Sequence, residues 1–308
     1  MKLKNILWAI ALLFAVSCSS SGGVVEPTPD PLPEFPEETS NLQKYAKDDE
    51  IKVMSFNVRY DNANDYTNAW PFRKVACVDM IKDQKPTVIG FQEAKYKDQW
   101  LVLKDALAEN YDGFGVDRDN GAENPKNGET MGILYDKTKV KYLEGGTFWL
   151  SQTPDKCSKG WGAGNYRTAT WGIFEHIPTG KKFCYINTHL DHKVATAQIE
   201  GMKLIVERFK EYNPDGYPQF LTGDMNVKID NEALDVLDGY MENTRIVAPS
   251  DKTDSDRTYN NWSTTGGSII DHIYCTKGMK VVEYHTIDEN YGVDYISDHY
   301  PIYAIIKM

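Results

Sequence analysis

Residues 51–60 read IKVMSFNVRY, an alternating run that puts Met54, Phe56 and Val58 on one face and so predicts a strand. Just downstream, Asn68-Ala69-Trp70-Pro71 resembles a helix start, since proline is tolerated in a first turn. Phe72, Val75, Ala76, Met80 and Ile81 follow at helical spacing. Residues 87–92 (TVIGFQ) form a short apolar strand. Residues 96–109 predict a second helix with Trp100, Leu101, Leu103 and Leu107 inward. Strand-like runs come next at 111–116, 130–135, 141–150, 168–177 and 182–190. The clearest amphipathic helix is 194–212, with Ile199, Met202, Ile205, Val206 and Phe209 on one stripe. A strand at 219–222 leads into Gly223, and 231–237 is a short helix. Three final strands lie at 268–275, 280–286 and 299–307. Two α/β halves of similar order emerge. Two packed sheets with helices outside are the arrangement that buries so many strands.

Composition allows this. The chain has 308 residues, 41% hydrophobic and 12% aromatic, enough to build a large core. No repeat of 20–50 residues recurs, which argues against a solenoid or propeller. The formal net charge is -11 and no long basic run occurs, so a tight, sequence-independent grip on nucleic acid is not favoured. A bound divalent cation can still supply local positive charge, so nucleic acid stays open as a substrate. The five cysteines form no CxxC pair, and the sequence holds no HExxH run, so zinc-site, redox-motif and zinc-peptidase readings lack support. Cys77, Cys184 and Cys275 lie in apolar segments and read as buried free thiols.

The front end reads as a targeting segment. Lys2 and Lys4 precede an apolar stretch from Ile6 to Val16 that is too short to span a bilayer. It ends in Ala15-Val16-Ser17-Cys18-Ser19-Ser20, which resembles a bacterial lipoprotein processing site with Cys18 as the lipidated residue. The expected organisation is a lipoprotein signal peptide over 1–17, a Ser/Gly/Pro-rich tether over 18–48, and a catalytic domain over 49–308. The protein is then a monomer held at the cell envelope, outside the cytoplasm, by its lipid anchor alone.

The polar residues of interest sit at strand ends. Asn57 ends one apolar strand and Glu93 follows another. Asn187 and His189 end a third, and Asp224 and Asn226 follow a fourth. Asp271 interrupts an apolar run, and Asp298 and His299 precede the last strand. A carboxylate inside an apolar strand is costly unless it is paired or binds a metal. Any one of these alone reads as a cap or turn residue. Four such carboxylates, Glu93, Asp224, Asp271 and Asp298, suggest one shared cluster.

At these residues the chain resembles the endonuclease/exonuclease/phosphatase superfamily, which includes DNase I. The matching motifs are Ser55-Phe56-Asn57-Val58-Arg59, Gly90-Phe91-Gln92-Glu93, Asn187-Thr188-His189-Leu190, Gly223-Asp224-Met225-Asn226, Ile270-Asp271-His272-Ile273 and Ser297-Asp298-His299. They occur in the family's order across residues 51 to 307. The resemblance implies a four-layer α/β/β/α sandwich and a phosphoesterase that hydrolyses a phosphodiester or phosphomonoester with an in-line water. It implies Mg²⁺, or Mn²⁺ in its place, held by Glu93 with Asn57 beside it and Asp298 as a second carboxylate. Asp224 and Asn226 would orient the water and hold a phosphate oxygen. His299 would be the active-site imidazole, fixed by Asp271, with His189 donating to the phosphoryl group. Tyr135 and Arg167 fall where the family often has phosphate contacts. The chemistry suits these residue types: a hard cation takes oxygen ligands, and a carboxylate behind an imidazole fixes its tautomer.

Other features keep two readings. His272 reads as a strand residue beside the site and His192 as lying near a helix start. Trp161, in a Gly-rich segment, is either a substrate-facing loop residue or a packed anchor. Residues 117–121 and 251–256 read as solvated loops. The alternatives to the enzyme are a binding lipoprotein that has lost catalysis on the same fold, or an extracellular nuclease if the substrate is nucleic acid. The first requires a replaced site residue, and none is replaced.

Overall fold

The computed structural model describes residues 42–122, 125–250 and 256–308. The expected signal peptide, Cys18, the tether up to residue 41 and most of the 251–256 loop lie outside the described residues. In chain order the elements are β1 (Glu50–Asn57), α1 (Trp70–Gln84), β2 (Val88–Gln92), β3 (Ala94–Lys95), α2 (Leu101–Ala106), β4 (Tyr111–Phe114), β5 (Glu129–Thr130), β6 (Ile133–Asp136), β7 (Val140–Trp149), β8 (Thr168–His176), β9 (Lys181–His189), α3 (Ala195–Tyr212), β10 (Gln219–Asp224), α4 (Glu232–Asp235), β11 (Met241–Asn243), α5 (Thr244–Val247), β12 (Asp271–Thr276), β13 (Val281–Thr286) and β14 (Ile302–Lys307).

Two six-stranded sheets form, ordered β13-β14-β1-β2-β6-β4 and β11-β12-β10-β9-β8-β7. Each holds one parallel pair, β1 with β2 and β9 with β10. Parallel neighbours need a crossover, and α1 and α3 supply it. Three apolar clusters fill three interlayer spaces. The first lies between α1, α2 and one sheet and contains Phe56, Met80, Phe91, Trp100 and Leu103. The second lies between the sheets and contains Val53, Phe174, Tyr185, Phe220 and Ala304. The third lies under α3 and contains Phe148, Ile186, Met202, Phe209 and Leu221. Three filled spaces mean four layers, so the α/β/β/α sandwich is the observed fold.

This layering explains where the sequence pattern misleads. All eight residues of β1 are buried, because a central strand here is covered on both faces. On α1, Phe72 and Val75 were expected inward but are exposed, while Arg73 and Gln84 are buried. Leu101 is likewise outward, and the helix expected over 96–109 opens as a single π-type turn, Tyr96–Trp100, and ends at Ala106. The folded body also starts before residue 49. Lys44 pairs with Asp83, and Ala46 packs against the first cluster.

Close contact between the sheets depends on Gly90 and Asn187. A Cβ on Gly90 would sit 2.3 Å from Asn187 Oδ1 and 2.6 Å from Thr222 Oγ1. Asn187 Nδ2 donates to Phe91 O at 2.8 Å and Gly132 O at 3.2 Å, while its oxygen accepts from Gln92 Nε2 at 2.7 Å. Asn187 therefore rivets the sheets just behind the strand ends that carry the polar cluster.

Candidate active site

The carboxyl ends of all four parallel strands lie on one edge. Asn57 ends β1, Glu93 follows β2, His189 ends β9 and Asp224 ends β10. The register opposes Asp224 to both His189 and Asp271, so these three side chains share one sheet face. β14 runs antiparallel to β1, and so the segment before it brings Ser297, Asp298 and His299 to the same edge. Glu93 (φ 61°) and Asn226 (φ 55°) adopt left-handed backbone where the two halves turn away from their strands. Such conformations cost about 1 kcal/mol or more and cluster at functional sites.

The side chains converge. Asn57 Nδ2 donates to Asp224 Oδ2 at 2.9 Å and lies 3.3 Å from Glu93 Oε1. Asn57 thus stands beside Glu93, but it faces the carboxylates through its NH2 group, while its oxygen accepts from Arg59 N at 2.9 Å. His299 Nδ1 donates to Asp271 Oδ2 at 2.8 Å, which aims Nε2 at Asp224 Oδ2, 3.8 Å away. His189 Nε2 approaches the same oxygen at 3.4 Å. Asn226 Nδ2 donates to Leu190 O and its backbone N–H donates to Asp224 Oδ1. Ser297 Oγ donates to Asn57 O at 2.7 Å and accepts the His299 backbone N–H, tying the two loops together.

The electrostatics follow from crowding. Burial, then Asp271 and Glu93, push the Asp224 carboxyl up, and burial and Glu93 do the same to Asp298. For His299, burial opposes the imidazolium, but Asp271, Asp224 and Asp298 outweigh it and hold its pKa well above the usual value. Burial, with Arg167 and Arg118 nearby, holds His189 well below. A divalent cation suits this site. Ligand atoms of Glu93, His189 and Asp224 lie within 4.8 Å of one another, as do those of Asp224, Asp271 and His299. The repelling carboxylates offer hard oxygen donors. Asp298 stands slightly apart, 3.7 Å from Arg59 Nε.

A cleft of about 510 Å³ opens over this cluster, lined by Glu93, Arg167, His189, Asp224, Asn226, Asp298 and His299 among others. Tyr135 does not line it. It opposes Val88, at the end of β2 away from Glu93, and packs on Phe174 and Tyr142 with its hydroxyl toward Asp112. Tyr135 is therefore not placed to make the phosphate contact the resemblance implies. The cleft includes residues to which the sequence reading gives no site role: Arg59, Arg118, Glu129, His192 and Tyr259. Residues 117–121 are not a solvated loop. Asp117 is fully buried and accepts N–H groups from Asp119, Lys126 and Gly128, and Arg118 is forked onto Glu129. His192 accepts from Arg167 Nη2 at 3.2 Å. Tyr259 packs its ring 4.9 Å from that of His299. Trp161 packs partly buried against the third core cluster, and His272 Nε2 donates to Val227 O at 2.9 Å, inside the wall.

A family model described as the endonuclease/exonuclease/phosphatase family matches residues 54–299. No curated protein sequence matches the chain. Among solved structures, a mannosyl-6-phosphatase from Bacteroides thetaiotaomicron is 30% identical with a TM-score of 0.78, covering 84% of this chain and 100% of its own. An endonuclease/exonuclease/phosphatase from Bacteroides vulgatus is 31% identical with a TM-score of 0.77, covering 84% and 99%. The human nocturnin catalytic domain, 15% identical with a TM-score of 0.68 over 85% of this chain and 96% of its own, shares the fold.

Proposed function

The chain belongs to the endonuclease/exonuclease/phosphatase family, and from that premise we propose that it is a metal-dependent phosphoesterase acting on the phosphate monoester of a sugar. The observation that carries this reading is the buried carboxylate cluster facing an Asp271-held imidazole in one cleft. Glu93 would hold Mg²⁺ or Mn²⁺, with Asn57 and Asp298 beside it. When bound, the cation supplies positive charge to the phosphoryl and leaving oxygens. Asp224, pinned by Asn57 and the Asn226 N–H, orients the attacking water in line with the leaving group. His299, its Nδ1 proton committed to Asp271, presents Nε2 to the phosphoryl group. His189 and Arg167 hold the remaining phosphoryl oxygens.

The sugar-phosphate reading is supported by the 30% identity to a mannosyl-6-phosphatase over most of this chain. The net charge of -11 disfavours long polyanions. We place the enzyme at the cell envelope on a lipidated Cys18 and a Ser/Gly/Pro-rich tether, from the basic, apolar and small-residue pattern of the first 20 residues. No helix among the described residues is long and apolar enough to cross a membrane.

The test is a hydrolysis panel on the purified chain with hexose 6-phosphates, phospholipid, RNA and plasmid DNA, each with Mg²⁺, with Mn²⁺ and with chelator. Metal-dependent release of phosphate from the hexose phosphate, abolished in Glu93→Ala and His299→Ala, is expected. Turnover that survives chelator and both substitutions would overturn the mechanism, and turnover of nucleic acid alone would overturn the substrate class. Cys18→Ser should release the protein from the membrane fraction.

A further inference from the structure

We infer that Arg118 and Arg167 together form a receptacle for the doubly charged phosphate of a monoester, and that Arg118 sets a preference for monoesters over diesters. The inference rests on the reading of the cleft as a phosphoesterase site. It goes beyond that reading by assigning Arg118, from a loop with no motif, a role in choosing the substrate.

Both arginines line the cleft, and both are more than nine-tenths buried, at 7% and 4% exposure. Their own partners leave N–H groups over. Among the described residues, Arg167 gives only Nη2 to His192, while its Nε and Nη1 have no hydrogen-bond partner, and Asp191 stays 3.9 Å from Nε. Arg118 commits its two Nη groups to Glu129, and its Nε has no bond among the described residues, 3.6 Å from Asp119. Buried donors without partners are rare in folded proteins and costly, so three from two residues in one cleft point to a ligand that takes them up. The two guanidinium groups also repel each other. After burial, Arg118 is the largest influence lowering the proton affinity of Arg167. An anion between them relieves that repulsion.

Arg118 is fixed before any ligand arrives. Its backbone N–H donates to Glu129 O at 3.0 Å, and its carbonyl accepts from Trp149 Nε1 at 2.7 Å. The Glu129 carboxylate holds the fork itself, with Nη2 to Oε1 at 2.8 Å. A donor held in this way needs no reorganisation to meet charge in the cleft.

The chemistry of the two ester classes then separates them. A phosphate monoester near neutral pH carries a charge between about −1.5 and −2 and three terminal oxygens. A diester carries a single charge and has a carbon substituent where the third oxygen would be. One guanidinium group serves a diester. The second, whose remaining donor is the Arg118 Nε, is taken up only by a monoester, and a diester leaves that buried N–H facing carbon, which is how a site that hydrogen-bonds one ligand rejects the analogue lacking the group.

The test compares p-nitrophenyl phosphate with bis(p-nitrophenyl) phosphate on the full chain with Mn²⁺, and titrates inorganic phosphate into the metal-free protein by calorimetry. Arg118→Met is expected to lower kcat/KM for the monoester about 10- to 100-fold, to leave the diester within about threefold, and to weaken inorganic phosphate by a similar factor. Arg118→Lys, which keeps a positive charge beside Glu129, guards against misfolding and should recover part of the monoester rate without restoring the full preference. Equal losses on both esters, or no change in either, would overturn the inference. If the wild type hydrolyses neither ester, the phosphoesterase reading falls. The phosphate titration still decides the receptacle, because unchanged affinity in Arg118→Met and Arg118→Lys refutes it.

Discussion

Arg73 offers a test of how the scaffold sets the site. Its fully buried guanidinium donates to four carbonyls: Val58 O at 2.9 Å, Ile296 O at 2.7 Å, Arg59 O at 3.2 Å and Asn68 O. Val58 directly follows Asn57, and Ile296 precedes the Ser297-Asp298-His299 run, so one side chain of α1 clamps both loops that carry proposed cation ligands. In Arg73→Met, Arg59 O keeps Gln99 Nε2 at 2.8 Å and Ile296 O keeps the Cys77 thiol at 3.3 Å. Val58 O and Asn68 O lose the guanidinium. The buried Val58 carbonyl and the part-buried Asn68 carbonyl without that donor cost about 1–3 kcal/mol each, offset in part because burial disfavours the Arg73 charge. A net loss of about 2–4 kcal/mol lowers Tm by roughly 5–15 °C in a domain of this size. The functional effect is separate. At a temperature where the variant is folded, Mn²⁺ affinity and kcat should both fall about tenfold or more, with Arg73→Lys intermediate, because the loops no longer hold their spacing. Thermal scans with and without Mn²⁺, Mn²⁺ titration and steady-state kinetics read all three quantities. An Arg73→Met protein that melts early yet binds Mn²⁺ and turns over like the wild type would refute the clamp.

Asp271→Asn removes the charge 2.8 Å behind His299. It should lower kcat by about 10²- to 10⁴-fold with little change in KM, and bring the imidazole's titration by NMR down toward ordinary values; a rate within about threefold of wild type would count against the pair. Gly90→Ala forces a methyl against Asn187 and Thr222 of the facing sheet, and urea unfolding should show a loss of about 1–3 kcal/mol, whereas an unchanged midpoint would mean the sheets can part without cost. Lys52 is fully buried, bonded to Lys44 O, Gln84 O and Gln84 Oε1, and burial, with Lys44 beside it, holds its pKa down to about 7 from 10.5. The unfolded chain therefore binds this proton more tightly, so the contribution of Lys52 to stability rises with pH between about 7 and 10.5, by up to about 1.4 kcal/mol per pH unit, and is lost below that window. Lys52→Met should flatten that rise in urea titrations between pH 7.5 and pH 9, and parallel curves for variant and wild type would exclude the effect.

Much of the fold is legible because burial leaves a period in the sequence. Met202, Ile205 and Phe209 on α3, and Trp100, Leu103 and Leu107 around α2, are where their spacing puts them. The failures have a common cause. Arg73 and Gln84 are polar, so periodicity turns α1 toward Phe72 and Val75. The structure turns it the other way, since four carbonyls and Lys52 take up those polar groups. Hydropathy counts a buried arginine as surface unless its partners are known, and partners more than 200 residues away in sequence, as Ile296 is, leave no local trace.

The site shows the same division. Glu93, Asp224, Asp271, Asp298 and His299 stand out because polar groups at the ends of apolar strands need an explanation. Arg118 and Glu129 do not, because they sit among polar residues where a solvated loop is the ordinary reading, and only the burial of Arg118 and its fork onto Glu129 reveal them. Tyr135 errs in the opposite way. It has a suitable type and lies in the right strand, but its register with Val88 puts it at the far end. What unites the correct assignments is topology. A parallel pair in each sheet delivers two carboxyl ends to one edge, and the antiparallel neighbours β12 and β14 begin there, adding Asp271, Asp298 and His299. Neither sheet holds the whole set, since Asn57 and Glu93 come from one while His189 and Asp224 come from the other. The bond from Asn57 to Asp224 that closes the cluster exists only while the sheets stay packed, so the spacing fixed by Gly90 and Asn187 determines the chemistry as well as the stability.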